Sequence, residues 1–328
     1  MIRGDRAGYA QLSGCGLNLF TDDELAELHR ATLDVLADTG LMVLNDEALE
    51  IYYSHGCNID KEKKIVKIPP YIVEEAIRSA PSSVLLAGRD PQNDLILEGN
   101  RVGFSSFGVA IKVLDLETGA VRESTNKDLA ESTILVDAAD NVDMLFQPMT
   151  PRDVPPEAAD LITAETCLSN STKHFHNGDI LSAKSARRYF EMGAAIAGSA
   201  EEMRRRPVCS IVFAPVSPLQ YSTDICEVII ESARLGIPID IVGEPLSGAT
   251  APVTLAGSLI VRNAEVLGGL VLSQLTKKGS PVIYGSSVQT FDLRAVNALV
   301  GDPELGMMNA AVAKQAQYYN LPSLVAGT

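Results

Sequence analysis

Three pieces near the C-terminal end decide the fold: Pro281–Ser287 (PVIYGSS), Asp302–Asn320 (DPELGMMNAAVAKQAQYYN) and Leu321–Thr328 (LPSLVAGT). The first reads as a strand and the second as a helix. The third, an apolar run with Pro322 near its start and Gly327 near its end, reads as a buried strand. The same alternation extends backwards. VDMLFQPM (142–149), KHFHNGD (173–179), VCSIVFAPVSPL (208–219) and PIDIVGEPLSG (238–248) read as strands, each followed by a helical pattern. RVGFSSFG (101–108) reads as a strand that opens the series, ahead of a hairpin with Thr118-Gly119 at its turn.

A strand–helix alternation repeating about every 30 to 45 residues implies a parallel sheet with helices outside. A doubly wound sheet would carry a glycine fingerprint after its first strand, but neither GxGxxG nor GK[ST] occurs. We therefore expect an α/β fold of the (β/α)8 TIM-barrel type, whose site lies at the C-terminal ends of the strands. The polar residues gather there: Gln147, His174, His176, Glu244, Ser286, Ser287 and Gln289. About seven strands are present where a closed barrel needs eight. This predicts a partial barrel over 101–328, lacking its last helix-strand-helix. Before it, residues 1–100 form an N-terminal α+β extension. There, Thr21 and Glu24 make a capping box at a helix start, Gly40 closes that segment, and Pro69-Pro70 opens a second helix.

The 328 residues carry a net charge of −15, with 46% hydrophobic and 21% charged residues. No basic stripe is available for phosphates, so nucleic acid is not an expected partner. Five cysteines without a CxxC pair argue against a disulfide framework and for a reducing, cytoplasmic setting. The long apolar run at 254–275 is broken by Arg262, Asn263 and Glu265, so it reads as a buried core helix and not as a membrane span.

Four segments, GCGLNLFTDDELAELHRATLDVL, NSTKHFHNGD, YGSSVQTFDLR and GDPELGMMNAAVAKQAQYYNLPSLVAGT, occur in this order. Together they resemble the trimethylamine–corrinoid protein methyltransferase family over essentially the whole chain. The resemblance implies a longer barrel protein, a homo-oligomer at full length, which moves a methyl group from trimethylamine to the Co(I) corrinoid of a partner corrinoid protein. It implies no cofactor bound tightly by this chain. In some members a pyrrolysine follows a motif like LPSLVAG and one small residue. Thr328 stands at that small-residue position, so pyrrolysine is expected just after it, with this sequence ended at the amber codon. Members without pyrrolysine demethylate quaternary amines such as glycine betaine. That alternative stays open, as do an inactive truncated fragment and a different barrel enzyme closed by oligomerisation.

In the implied reaction cobalt is the nucleophile, so the protein's share is positioning and electrostatics. Aromatic faces hold methylammonium groups at about 0.5–2 kcal/mol per contact. With no Trp in the chain, Phe104, Phe107, Phe175, Tyr284 and Phe291 are the aromatic residues near strand ends, each alternatively a core residue. His174 and His176 stand two apart and so face one side of a strand, as hydrogen-bond donors or a proton relay. Alternatively they are bonded to backbone carbonyls. No third ligand with recognisable spacing makes them a metal site. Glu244 at a strand end would pair with an ammonium or cap the following helix. The catalytic candidates are thus His174, His176 and Glu244. The substrate-binding candidates are Phe107, Gln147, Tyr284, Ser286, Ser287 and Gln289. Asp292 reads as an orienting residue and Cys209 as core.

Overall fold

The structure, a computed structural model, describes residues 18–327. Cys15, Thr328 and the pyrrolysine position expected after it lie outside the described residues. The chain divides into two compact units that interleave in sequence. One is residues 85–212, and the other comprises the described parts of 14–84 and 213–328.

In the 85–212 unit three strands, β1 (Met144–Phe146), β2 (His174–Asn177) and β3 (Cys209–Phe213), pair in parallel. Helices Asn126–Ala138, Ala159–Asn170 and Ala183–Ala197 alternate with them. Side chains fix where these helices begin. Thr125 and Asp128 form a reciprocal capping box, and the Ser182 hydroxyl accepts from Ser185 N. The strand period of two then sorts the residues. The Phe175 ring meets Tyr189 of helix Ala183–Ala197 edge-on at 6.1 Å, and Cys209 closes on Gly193 of the same helix. Those two residues therefore face the helix layer, and the alternate residues His174, His176, Phe146 and Ser210 face the other side. Asp94, buried, accepts both guanidinium nitrogens of Arg206 at 2.6 and 2.8 Å and the amide of Gly88 at 3.0 Å.

The expected first strand, 101–108, is not formed as a regular strand. It runs beside β1 through one parallel bridge, Ser105 to Met144. Ser106 Oγ donates to Phe146 O at 2.9 Å and accepts from Phe146 N at 3.0 Å. A serine side chain thus supplements sparse backbone pairing, such as Asp143 N to Phe104 O at 2.7 Å, in a segment whose glycines at 103 and 108 weaken strand preference. The hairpin forms as expected from Lys112–Leu114 and Val121–Glu123, with Gly119 at φ +69° in its turn.

In the other unit, β4 (Ile239–Gly243), β5 (Val282–Ser286) and β6 (Ser323–Val325) pair in parallel, with Ile241 opposite Tyr284 and Gly243 opposite Ser286. Helices Thr223–Leu235, Leu255–Thr276 and Pro303–Tyr319 accompany them. The N-terminal segment supplies helix Asp22–Asp34, which carries the expected Thr21–Glu24 capping box. The chain then turns at Gly40 (φ +81°) into a small sheet ordered Gln220–Tyr221, Leu41–Val43, Ile65–Lys67, Asn58–Asp60.

Helix Leu255–Thr276 is long and apolar enough to cross a membrane, yet 72% of its most apolar window is buried inside the protein. Gly268 permits its close approach to the N-terminal segment, since a Cβ there would lie 2.2 Å from Leu41 Cδ1. Asn263 on this helix is satisfied internally, as most buried polar groups are. Asn263 donates to Thr32 Oγ1 at 2.9 Å and Tyr319 Oη at 2.8 Å, and it accepts from Tyr284 Oη. His29 extends this network, with Nδ1 2.9 Å from Tyr319 Oη and Nε2 2.8 Å from Glu74.

Candidate functional site

The polar residues at strand ends fall into two clusters, one in each unit. In the 85–212 unit, parallel register puts Phe146, His176 and Ser210 in one row on one face. His174 lies one step deeper on the same face. His174 Nδ1 is 3.2 Å from Ala87 O and 3.0 Å from Pro207 O, while its Nε2 is 2.7 Å from Ser210 Oγ. His176 Nδ1 is 2.6 Å from the same oxygen. All three side chains are fully buried. Burial first, and then the neighbouring His176, push the His174 pKa down to about 3, so its imidazole is neutral. His174 thus bonds to backbone carbonyls, as the alternative sequence reading had it, and both rings meet the Ser210 hydroxyl.

Gln147 follows β1 directly and is fully buried. Its backbone N donates to His176 O at 3.0 Å. Its side chain accepts from Gly178 N at 3.0 Å and donates to Asp179 Oδ2, which also accepts from Thr150 Oγ1 at 2.9 Å. With both ends of its amide engaged, Gln147 braces the turn after β2. Phe107, at 72% exposure, stands in solvent and not against this cluster. Ser210 and Asp179 are the two site residues that we did not select from sequence. Asp179 closes the KHFHNGD segment, while a lone Ser in an apolar strand gives no signal.

In the other unit, Glu244 follows β4 immediately. It is not a helix cap, because the next helix is capped by Thr254, whose side chain accepts from Gly257 N. Glu244 reaches solvent, yet protein crowds its carboxyl. Desolvation raises its pKa, and the like charge of Asp240, four residues back on the same strand face, adds to the rise. Asp240 is fully buried. Gly285 makes room for it, since a Cβ there would lie 2.1 Å from Asp240 Oδ1.

Ser286 ends β5 and Ser287 follows it. Ser286 O accepts from Ala326 N at 2.9 Å, and Ser287 N donates to Gly243 O at 3.1 Å, which ties the ends of β4, β5 and β6 together. Gln289 lies in the strand Gln289–Asp292 that follows and is half-buried. Asp292 orients the next turn by accepting from Arg294 N at 2.7 Å and Ala295 N at 3.1 Å.

Tyr284 departs from its expected placement. It faces the helices, with its hydroxyl on Asn263, and the Arg262 guanidinium lies 3.8 Å from its ring centroid. It is fully buried, and its cation is supplied internally. Phe175 and Cys209 likewise belong to the helix-facing core, and Phe104, 56% exposed, does not. The four described free cysteines, Cys57, Cys167, Cys209 and Cys226, are buried. Burial pushes each thiol up to about 12, which removes them as nucleophiles. Among the described residues no group of three or more His, Cys, Asp or Glu is placed to hold a metal ion.

Comparison with known proteins places the chain in a family. The sequence pattern of the family described as Trimethylamine methyltransferase (MTTB) matches residues 10–328. This chain belongs to the trimethylamine methyltransferase family. It is 48% identical to the trimethylamine methyltransferase MttB of Desulfitobacterium hafniense over 98% of its own length and 65% of that protein. Against the MttB of Methanosarcina thermophila the identity is 43%, covering 98% of this chain and 68% of the relative. Against a glycine betaine methyltransferase of D. hafniense it falls to 29%, covering 94% and 64%.

The chain spans about two thirds of the length of these trimethylamine methyltransferase relatives. Among solved structures, the monomethylamine methyltransferase MtmB of Methanosarcina barkeri is similar at a TM-score of 0.56, with 13% identity, over 92% of this chain and 65% of MtmB. A structure described as the hydroxylamine MtmB complex gives a TM-score of 0.62 at 13% identity, over 96% and 63%. This likeness bears on fold alone and supports the expected class, an α/β chain of the TIM-barrel type.

Proposed function

We propose that this chain belongs to an enzyme that transfers a methyl group from trimethylamine to the Co(I) corrinoid of a partner corrinoid protein. The observation that carries the proposal is the gradient of likeness: 48% and 43% identity to proteins named for trimethylamine, against 29% to one named for glycine betaine. In the reaction the Co(I) electron pair forms the Co–C bond, the C–N bond breaks, and nitrogen keeps its pair. Starting from trimethylammonium, the leaving group is neutral dimethylamine, and a proton on nitrogen is what makes it leave.

The residues we assign follow from that need. Glu244, a crowded carboxylate at the end of β4 with Asp240 behind it, supplies negative charge for an ammonium. Ser286, Ser287 and Gln289 are assigned to hold the substrate in the same unit, and Gln147 to brace the histidine cluster of the other. His176 is assigned to proton handling. The resemblance of LPSLVAGT supports a pyrrolysine after Thr328 as the group that captures the amine. We place the enzyme in the cytoplasm, in keeping with its unpaired buried cysteines, and as a homo-oligomer at full length.

The test is methyl transfer. The protein is purified from its natural source with its corrinoid partner, reduced to Co(I) and offered trimethylamine or glycine betaine, and methyl-cobalt is followed by its absorbance. Transfer from trimethylamine supports the proposal; transfer from glycine betaine alone moves the assignment to quaternary amines.

A further inference from the structure

The fully buried trio His174, Ser210 and His176 contains a hydrogen-bond chain whose direction can be derived by counting protons. His174 Nδ1 lies against two backbone carbonyls, Ala87 O at 3.2 Å and Pro207 O at 3.0 Å. Carbonyl oxygens only accept, so His174 Nδ1 must carry the hydrogen. In the neutral ring, Nε2 then has only a lone pair. The atom facing it at 2.7 Å is Ser210 Oγ, so the serine hydroxyl donates there. A serine has one hydrogen, now used, so toward His176 its oxygen can only accept. His176 Nδ1, 2.6 Å away, must therefore be the donor.

We infer that Ser210 is a positioning residue that fixes neutral His176 in its Nδ1–H tautomer, which puts the lone pair on Nε2. The polarity is set far from His176, by two carbonyls on separate segments, and relayed through one hydroxyl. Ser210 is suited to this because β3 pairs with β2 in a register that sets it directly opposite His176 on the same sheet face. Reversing the chain would require His174 to carry two hydrogens, so that its Nε2 donates to Ser210. Burial opposes this by depressing the basicity of that ring. His174 is thus the anchor and His176 the base. This last role rests on the proposed methyl transfer, but the tautomer assignment does not.

The test is 15N–1H correlation NMR of the imidazole rings in the chain labelled at its four histidines, assigned by His174→Gln and His176→Gln. In the unsubstituted protein both rings are expected to show a pyrrole-type Nδ1 and a pyridine-type Nε2. In Ser210→Ala, His174 keeps its tautomer because the carbonyls still hold it. The His176 tautomer ratio shifts toward Nε2–H by about tenfold, the ratio that one buried hydrogen bond sustains. Ser210→Thr keeps the hydroxyl and restores the ratio. A pyrrole-type Nε2 on His176 in the unsubstituted protein overturns the inference, whatever the variants do. So does an unchanged His176 ratio in a folded Ser210→Ala. Because the readout is the ring nitrogen and not turnover, a failure of the methyl-transfer proposal leaves this result interpretable on its own.

Discussion

Replacing Glu265 by Gln should remove a pH dependence of stability that the unsubstituted chain carries. Glu265 is fully buried on helix Leu255–Thr276. Its carboxylate accepts from Ser217 Oγ and Leu219 N, both at 3.0 Å. Desolvation outweighs these two bonds and the nearby Arg262, and the pKa rises from 4.5 to about 7. The sign follows from linkage. Below pH 4.5 both folded and unfolded chains hold the proton, and the group contributes no slope. Between pH 4.5 and about 7 the unfolded chain releases it while the folded chain keeps it, so stability falls as pH rises. At ~1.4 kcal/mol for each pH unit, the loss accumulated by neutral pH is ~3 kcal/mol. Gln keeps the shape but cannot ionise. In urea unfolding followed by circular dichroism from about pH 5 to pH 8 at fixed ionic strength, the stability of the unsubstituted chain relative to Glu265→Gln should fall by ~3 kcal/mol. A difference that stays constant across that range would refute the reasoning, because it would mean that Glu265 ionises alike in the folded and unfolded chains.

Other substitutions probe the fold and the site. Gly285→Ala places a methyl where Asp240 Oδ1 lies 2.1 Å away, and should destabilise by about 1–3 kcal/mol, read as a lowered Tm. Asp94→Ala strands the Gly88 amide and the partly exposed Arg206; a loss of about 1–3 kcal/mol is expected in urea unfolding. Glu244→Gln, at a position outside any helix cap, should leave the Tm nearly unchanged. It should lower methyl transfer from trimethylamine by about tenfold or more, the effect of losing one charge-assisted contact.

Local signals carried much of the architecture. The Thr21–Glu24 capping box, the Pro70 helix start and the Gly119 turn each rest on chemistry within a few residues, and each stands where the sequence placed it. What failed was long-range. Parallel strands buried on both sides are apolar on both faces, so nothing in PVIYGSS shows which alternate residues meet the helices. Tyr284 was accordingly expected at the substrate but lies against Arg262 and Asn263. Segment 101–108 reads as a strand, yet it keeps only one bridge to β1, supplemented by the Ser106 side chain. Ser210 gained its significance only through register. The carbonyls that orient the chain it belongs to come from Ala87 and Pro207, which no spacing connects with a histidine at 174.

The most direct test of the central claim is a single-turnover assay of methyl-cobalt formation. It uses the protein from its natural source and its Co(I) corrinoid partner, with trimethylamine and glycine betaine offered separately. Methyl-cobalt and an equal amount of dimethylamine are expected from trimethylamine, and no methyl-cobalt from glycine betaine. Methyl-cobalt from glycine betaine with none from trimethylamine would contradict the claim.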